Sequence, residues 1–170
     1  MKFFTFSFLF VLLFSASNIL QAQEFNMPPD ITKFGADDCS KYKNDILKCI
    51  SWMLQTPLSK DIDKRHVSDA FLLMWISHCP DVSINIKPYV DKFEDVSPEF
   101  IAMFMGAWAK HEMETKDKNE LNCNLAAVKS LVEHYTADTE MPRSEYMDKL
   151  VAADKKGKLK DWVLKALKEK

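Results

Sequence analysis

The sequence predicts an all-α, single-domain bundle of about six helices with one extended connection near residues 81–88. Apolar residues recur at helical spacing through most of the chain. Only 3 of the 170 residues are glycine, which argues against phosphate-loop enzymes and β-rich barrels. A hydrophobic content of 47% and a charged content of 28% are ordinary for a globular protein with a packed core.

The first 22 residues are predicted to be a secretory signal peptide. Lys2 precedes an apolar run from Phe3 to Phe14, and a small and polar stretch then leads to Ala22. The run is shorter than a membrane-spanning helix, which needs about 20 apolar residues. Cleavage after Ala22 would leave about 148 residues, enough for one domain. We therefore expect a periplasmic or secreted protein; a retained N-terminal anchor is the alternative.

Charge is distributed unevenly along the remaining chain. Residues 23–154 carry 15 basic and 23 acidic side chains, whereas residues 155–170 carry seven lysines and two acidic side chains. An acidic body argues against nonspecific nucleic-acid binding, which requires clustered Lys and Arg, so we predict no nucleic-acid partner. The basic end leaves a weak attraction to an anionic surface as an option.

The helical domain is predicted to occupy residues 38–170, after an irregular N-terminal segment at 23–37. Its first two helices, 38–56 and 64–79, each end at a proline. The short connection between them predicts an antiparallel hairpin. The apolar stripe of the first helix consists of Tyr42, Ile46, Cys49, Ile50 and Met53.

The segment between Pro80 and Pro88 differs from the rest of the chain. Val82, Ile84 and Ile86 alternate with polar residues, and a period of two indicates extended backbone. Because the other elements are helices, no partner strand is expected. We favour a connection that places alternate side chains in the core. The alternative is a strand edge that pairs with another chain.

The next helix is predicted to be the central one. After a short helical turn at 88–95, a Ser-Pro-Glu sequence at residues 97–99 is a strong helix start signal. Residues 100–109 contain no charged or polar side chain, so this helix should be buried on several sides. Gly106 lowers helix propensity by about 1 kcal/mol relative to alanine, which a close approach of another helix could offset.

Three helices complete the predicted bundle. They cover about 120–137 after the capping residue Asn119, 142–156, and 158–169 after the stop signal Gly157. The last helix is amphipathic and basic. We expect it to dock on its own acidic body; binding to an anionic membrane surface is the alternative. Its apolar face consists of Leu159, Trp162, Val163, Ala166 and Leu167.

The four cysteines of an exported chain predict disulfide bonding. Cys39 and Cys49 would be about 15 Å apart in one helix, beyond the roughly 7 Å limit between bridged α-carbons. The antiparallel hairpin instead brings Cys39 beside Cys79, and we predict this disulfide. It would contribute about 3–4 kcal/mol in the chain-entropy model. Cys49 and Cys123 lie on apolar faces, where they either pair or remain buried thiols.

One group of residues has a catalytic pattern. Arg65, His66 and Asp69 lie in the first turns of the second helix, and a His–Asp pair on one face could orient a general base. No nucleophile is linked to the pair, so a solvated surface is the favoured interpretation. The sequence has no metal-binding motif, and His111 and His134 are expected to lie too far apart to share an ion. We predict neither a metal nor a cofactor.

The functional hypotheses belong to three classes. The first is an exported, non-catalytic binding or interaction module, either a carrier of a small apolar ligand or a periplasmic adaptor for a protein partner. The second is a periplasmic enzyme that uses a site around Arg65, His66 and Asp69. The third is membrane-surface binding through the basic C-terminal helix. The absence of a catalytic motif in the sequence favours the first.

Overall fold

The computed structural model describes residues 24–169, and the signal peptide predicted at 1–22 lies outside them. The described chain is all-helical, as predicted, and forms one compact arrangement. Residues 24–169 contain no β-strand. The α-helices are α1 (Asp38–Lys41), α2 (Lys43–Gln55), α3 (Ile62–His78), α4 (Asp91–Glu94), α5 (Glu99–Thr115), α6 (Glu120–Ala137), α7 (Glu145–Lys155) and α8 (Leu159–Ala166).

The prediction of about six helices is therefore slightly wrong, because the described residues form eight. The helix predicted at 38–56 is divided at Tyr42, whose φ of −97° and ψ of 10° interrupt the helical backbone between α1 and α2. The Tyr42 ring packs against Phe34 and Phe71 at this break. The turn predicted at 88–95 is a short 3₁₀ helix followed by α4. Apolar periodicity alone does not reveal such breaks, since the stripe continues across them.

Helix α5 lies at the centre of the core, as its apolar sequence predicts. It packs along α6 and against the hairpin of α2 and α3. A Cβ atom at Gly106 would lie 3.1 Å from Cδ2 of Leu72 and 3.3 Å from Cγ2 of Ile50. Glycine therefore permits the close approach of this hairpin to α5 that the sequence suggested. The fully buried side chains of α5 include Phe100, Met103, Phe104 and Ala109.

The predicted disulfide between Cys39 and Cys79 is confirmed. The two α-carbons are 5.5 Å apart and the sulfur atoms are bonded, which ties α1 to the end of α3. The remaining cysteines, Cys49 and Cys123, are buried free thiols. Of the two possibilities, a second disulfide or buried thiols, the structure therefore shows buried thiols.

Within the connection predicted at 81–88, residues 82–87 are neither helix nor strand; they lead from α3 to the 3₁₀ helix Pro88–Val90 and have no strand partner in the described chain. Val82 is buried and Ile84 is partly buried against the core, whereas Ile86 remains 42% exposed. The backbone N–H of Ser83 donates to Glu112, and the Asn85 side chain donates to Glu120. One buried and one partly buried side chain agree with the connection that was favoured; pairing with another chain stays a prediction.

Helix α8 closes the bundle against α6 and α7. Its residues Leu159, Val163 and Ala166 are buried. The Trp162 ring lies 5.5 Å from the Tyr89 ring and 6.1 Å from the Tyr146 ring, measured between centroids. The apolar face of α8 is thus engaged with the protein itself. Among residues 24–169, none of the helices combines the length and the apolar character that crossing a bilayer requires.

Candidate functional site

The three residues of the catalytic pattern occupy different environments on α3. Arg65 is 1% exposed, so it lies inside the protein rather than on the solvated surface that was expected. His66 is exposed, and Asp69 is partly buried at the boundary between them. The arrangement does not present the three side chains together to solvent. A general base oriented by Asp69 through His66 receives no support from this geometry, since no hydrogen bond joins these two described residues.

Arg65 is a cap for the end of helix α2. Its guanidinium donates to the backbone carbonyls of Met53, Thr56 and Pro57, at 3.3, 2.6 and 3.3 Å. The last carbonyls of a helix have no intrahelical donor, and a buried carbonyl without a donor is costly. Pro57 cannot provide a backbone N–H at this point. The fold therefore uses the positive charge of Arg65 to satisfy the polar backbone between α2 and α3.

A second buried polar pair, which sequence reasoning missed, lies on the other side of the same helix end. Nδ1 of His134 donates to the Leu54 carbonyl at 2.9 Å, and Asp138 accepts the backbone N–H of Leu58 at 2.8 Å. Nε2 of His134 is buried without a hydrogen bond, 3.8 Å from the Asp138 carboxylate. Both residues lie at the end of α6. Their spacing of four residues, which places two side chains on one helix face, was the only sequence signal of this pair.

Burial determines the charge states around Arg65. Burial lowers the pKa of His134, so the ring is neutral and its Nδ1 proton is committed to Leu54. Burial also raises the pKa of Asp69 to about 6, although the charge of Arg65 opposes this shift. Partial burial favours the protonated form of Glu99, but the hydrogen bond from Ser97 lowers its pKa overall. Of these two carboxyl groups, only that of Asp69 has a pKa close to neutral pH, and no nucleophile accompanies it.

A groove of about 590 Å³ lies between α2, α5 and α6. Within it, Nζ of Lys110 donates to Oγ of Ser51 at 2.8 Å, which resembles a Ser–Lys catalytic pair in distance. However, the Ser51 hydroxyl donates to the Leu47 carbonyl at 2.8 Å, and Lys110 forms an ion pair with Glu114. A general base must accept the hydroxyl proton, and this charged amine cannot. The groove is lined by Ser51, Leu54, Gln55, Lys110, Ser130, Glu133, His134 and Ala137.

The outer surface of α3 carries three of the five exposed large apolar side chains found among the described residues. Helix α3 is apolar on its buried side, through Phe71, Leu72 and Trp75, yet it is also largely apolar on the side that faces solvent. A surface helix normally presents charged and polar residues there. We call this surface the exposed α3 face. It consists of Ile62, Asp63, His66, Val67, Ala70, Leu73, Met74 and Ser77.

Exposure of large side chains distinguishes this face from ordinary surface. Ile62, Val67 and Leu73 are 54%, 47% and 44% exposed, so three of the most exposed large apolar residues belong to one helix. Single exposed apolar residues are normal, but contiguous ones mark interaction sites. Sequence reasoning did not single out this face, since periodicity does not reveal which of two apolar faces is covered.

Comparison with models of protein families, with curated proteins and with solved structures found no match to this chain. The residues must therefore be judged from their own chemistry. Across the described range 24–169, no three side chains of His, Cys, Asp or Glu are grouped as a metal site would require. The exposed α3 face and the groove between α2, α5 and α6 are the candidate binding surfaces considered further.

Proposed function

We propose that this protein is an exported, non-catalytic interaction module that binds a protein partner through the exposed α3 face. The observation that carries the proposal is the apolar character of a helix surface that faces solvent, with Val67 and Leu73 both more than two-fifths exposed. Covering these side chains would remove apolar area from water, which favours association. The role is that of an adaptor whose partner supplies the missing cover.

Export is supported by two features of different kinds. The first is the sequence of residues 1–22, in which a basic residue, an apolar run and a small and polar stretch follow one another as in a signal peptide. The second is the Cys39–Cys79 disulfide, since stable disulfides persist mainly in oxidising compartments. The two buried thiols do not weaken this inference because burial makes them inert; burial raises the pKa of Cys49 to about 12.

A surface function receives more support than transport of an apolar ligand. The methionine and aromatic side chains that suggested a ligand cavity are packed together, and Met53, Met103 and Trp75 are at most 1% exposed. Of the eight residues that line the groove, only Leu54 and Ala137 have apolar side chains. An apolar carrier would need a cavity lined by hydrophobic side chains.

The enzyme and membrane hypotheses receive less support from the same structure. Arg65 is committed to three backbone carbonyls, which leaves it unavailable to a substrate. The apolar face of α8 is packed against the bundle, whereas a membrane-bound helix inserts that face into lipid. Neither alternative explains why α3 leaves apolar side chains in solvent.

Site-specific photo-crosslinking in cells that export the protein tests the proposal. A photoreactive phenylalanine analogue replaces Leu73 on the exposed α3 face, and the matched control replaces Ala152, which is exposed on α7. We expect a covalent adduct of discrete mass from position 73 and none from position 152. Adding Val67→Asp should abolish the adduct because a charge then opposes apolar contact. No adduct at 73, or equal adducts at both positions, contradicts the proposal.

A further inference from the structure

The groove between α2, α5 and α6 collects polar side chains from three helices. Its volume of about 590 Å³ lies within the range of small-molecule sites, in which a few convergent polar groups orient the ligand. None of its lining residues belongs to α3, so the groove is separate from the exposed α3 face. The polar lining consists of Ser51 and Gln55 from α2, Lys110 from α5, and Ser130, Glu133 and His134 from α6.

The ammonium group of Lys110 is held in a fixed position in this groove. It donates to Oγ of Ser51 at 2.8 Å and lies 3.0 Å from Oε1 of Glu114. Ser51 is itself oriented, because its hydroxyl donates to the Leu47 carbonyl. An ammonium group has three N–H donors, and these contacts use two of them. The third donor has no partner among residues 24–169 and is available to an anionic group of a ligand.

Ser130 provides a second hydrogen-bonding group that the protein itself leaves unused. The serines of the long helices α2 and α3, namely Ser51, Ser68 and Ser77, each donate to the carbonyl four residues earlier. The Ser130 hydroxyl is partly buried in the middle of α6, yet it forms no hydrogen bond within the described chain. A carboxylate has two oxygen atoms, so it can accept from this hydroxyl and from Lys110 together.

Glu133 adds a negative charge to the same groove. It lies one turn from Ser130 on α6, which places the two Cβ atoms about 5–6 Å apart on one helix face. Its exposed ion pair with Lys129 has a distance of 4.0 Å between Nζ and Oε1 and is therefore weak. Lys110 and Glu133 each pair within their own helix, and among the described residues no ion pair crosses the groove. The groove thus presents one positive and one negative group at short range.

We infer that this groove binds a free α-amino acid. The carboxylate of the ligand lies against Lys110 and Ser130, and its ammonium group lies against Glu133. Both charges of an α-amino acid are attached to one carbon atom, which suits charged groups this close together. A single anion such as phosphate fits less well, because Glu133 would repel it and most of the volume would stay empty. The two apolar lining residues, Leu54 and Ala137, remain for contact with the side chain of the ligand.

Titration of the mature, disulfide-bonded protein with each of the twenty common L-amino acids tests the inference. Amide NMR spectra report binding at ligand concentrations up to about 10 mM. We expect at least one amino acid to give saturable shifts at Lys110 and at residues 130–134. For that amino acid, the analogue without the ammonium group and the analogue without the carboxylate should each bind at least tenfold more weakly.

Two variants assign the contacts, and each has a matched control. Lys110→Met should weaken binding at least tenfold, because the ligand carboxylate loses its cation. Glu133→Gln should remove the preference for the amino acid over its analogue without the ammonium group. The controls Lys149→Met and Glu145→Gln change an exposed ion pair of the same spacing on α7, outside the groove. They should leave both the affinity and the preference unchanged.

Three outcomes overturn the inference. The first is the absence of a saturable shift with every one of the amino acids at about 10 mM. The second is equal binding of the amino acid and its analogue without the ammonium group, a result that needs no substitution. The third is a loss of affinity in Lys110→Met, checked for folding by circular dichroism, no greater than that in Lys149→Met. Crosslinking at position 73 tests the proposed function independently of these results.

Discussion

At the scale of single residues, Arg65 connects the stability of the hairpin to the question of catalysis. Its guanidinium donates to three carbonyls between α2 and α3. Its positive charge also helps burial to lower the pKa of His134, so the ring of His134 is neutral. The adjacent residue His66 is exposed to solvent and does not cap a helix. Arg65 therefore has a structural role, whereas the adjacent His66 lies on the exposed α3 face.

Replacing Arg65 and His66 separates these roles. Arg65→Met keeps an unbranched side chain but leaves one buried and two partly buried carbonyls without their donor, so we expect a loss of about 3 kcal/mol in the free energy of unfolding. His66→Ala should change it by less than about 0.5 kcal/mol. Urea unfolding followed by circular dichroism measures both. Equal stability of the Arg65→Met variant and the parent protein would show that the cap is dispensable.

Asp69 makes stability depend on pH in an identifiable direction. Its pKa is raised to about 6 from 3.8, so the folded state binds this proton more tightly than the unfolded state does. Ionisation of Asp69 therefore costs stability as the pH rises from about 4 to about 6. Asp69→Asn should be more stable than the parent by about 1–2 kcal/mol at pH 7.5, and the difference should vanish below about pH 4.

The control for this prediction is Asp63→Asn, on the exposed side of the same helix. Its stability difference from the parent should be small and should not follow the pH window of Asp69. The lowered pKa of His134 destabilises the fold as the pH falls below about 6.5, but this contribution is common to the three proteins and cancels in the differences. Unfolding free energies between pH 3.5 and 8 measure the effect. A constant advantage of Asp69→Asn across this range would contradict the raised pKa.

At the scale of helices, Gly106 controls how closely α5 approaches the α2–α3 hairpin. A Cβ atom there would already press on Leu72 and Ile50, both fully buried. Gly106→Val adds branched carbon atoms to this contact, and we expect a loss of about 2–3 kcal/mol through overpacking, despite the better helix propensity. Thermal unfolding measures the change.

Gly35→Ala is the matched substitution, because no atom lies within 4 Å of the Cβ it would introduce. It should be neutral or stabilise slightly by restricting the unfolded chain. If Gly106→Val were as stable as Gly35→Ala, the helices would not be held at close approach by glycine. Together the two variants separate a packing effect from the general effect of replacing glycine.

For the molecule as a whole, one disulfide bond joins the start of the hairpin to its end, at α1 and α3. The Cys39–Cys79 disulfide closes a loop of 40 residues, and its reduction should lower the free energy of unfolding by about 3–4 kcal/mol. Cys39→Ser with Cys79→Ser should show the same loss and no further response to reductant. A thiol reagent should not react with the folded protein, whereas unfolding should expose two reactive thiols, those of Cys49 and Cys123. Rapid reaction of the folded protein would contradict the burial of these two cysteines.

Local sequence patterns were enough to predict several features of the fold. The apolar period predicted the helices, residues 97–99 marked the start of α5, and alternation marked the extended segment 81–88. The disulfide was also predictable, because a short connection makes an antiparallel hairpin and the hairpin places Cys39 beside Cys79. Helix breaks such as Tyr42 were not, since a continuous apolar stripe does not reveal a local change of backbone direction.

The side of α3 that is buried depends instead on the packing of its neighbours. The helix is apolar around most of its circumference, so its sequence is compatible with burial of either side. Packing of α2 and α5 chose the side with Phe71 and Trp75, and thereby left Val67 and Leu73 in solvent. Burial of Arg65 was equally hidden, because the carbonyls that it satisfies belong to another helix. A linear sequence specifies each helix surface, whereas the arrangement of neighbouring helices determines which surface remains open to a partner.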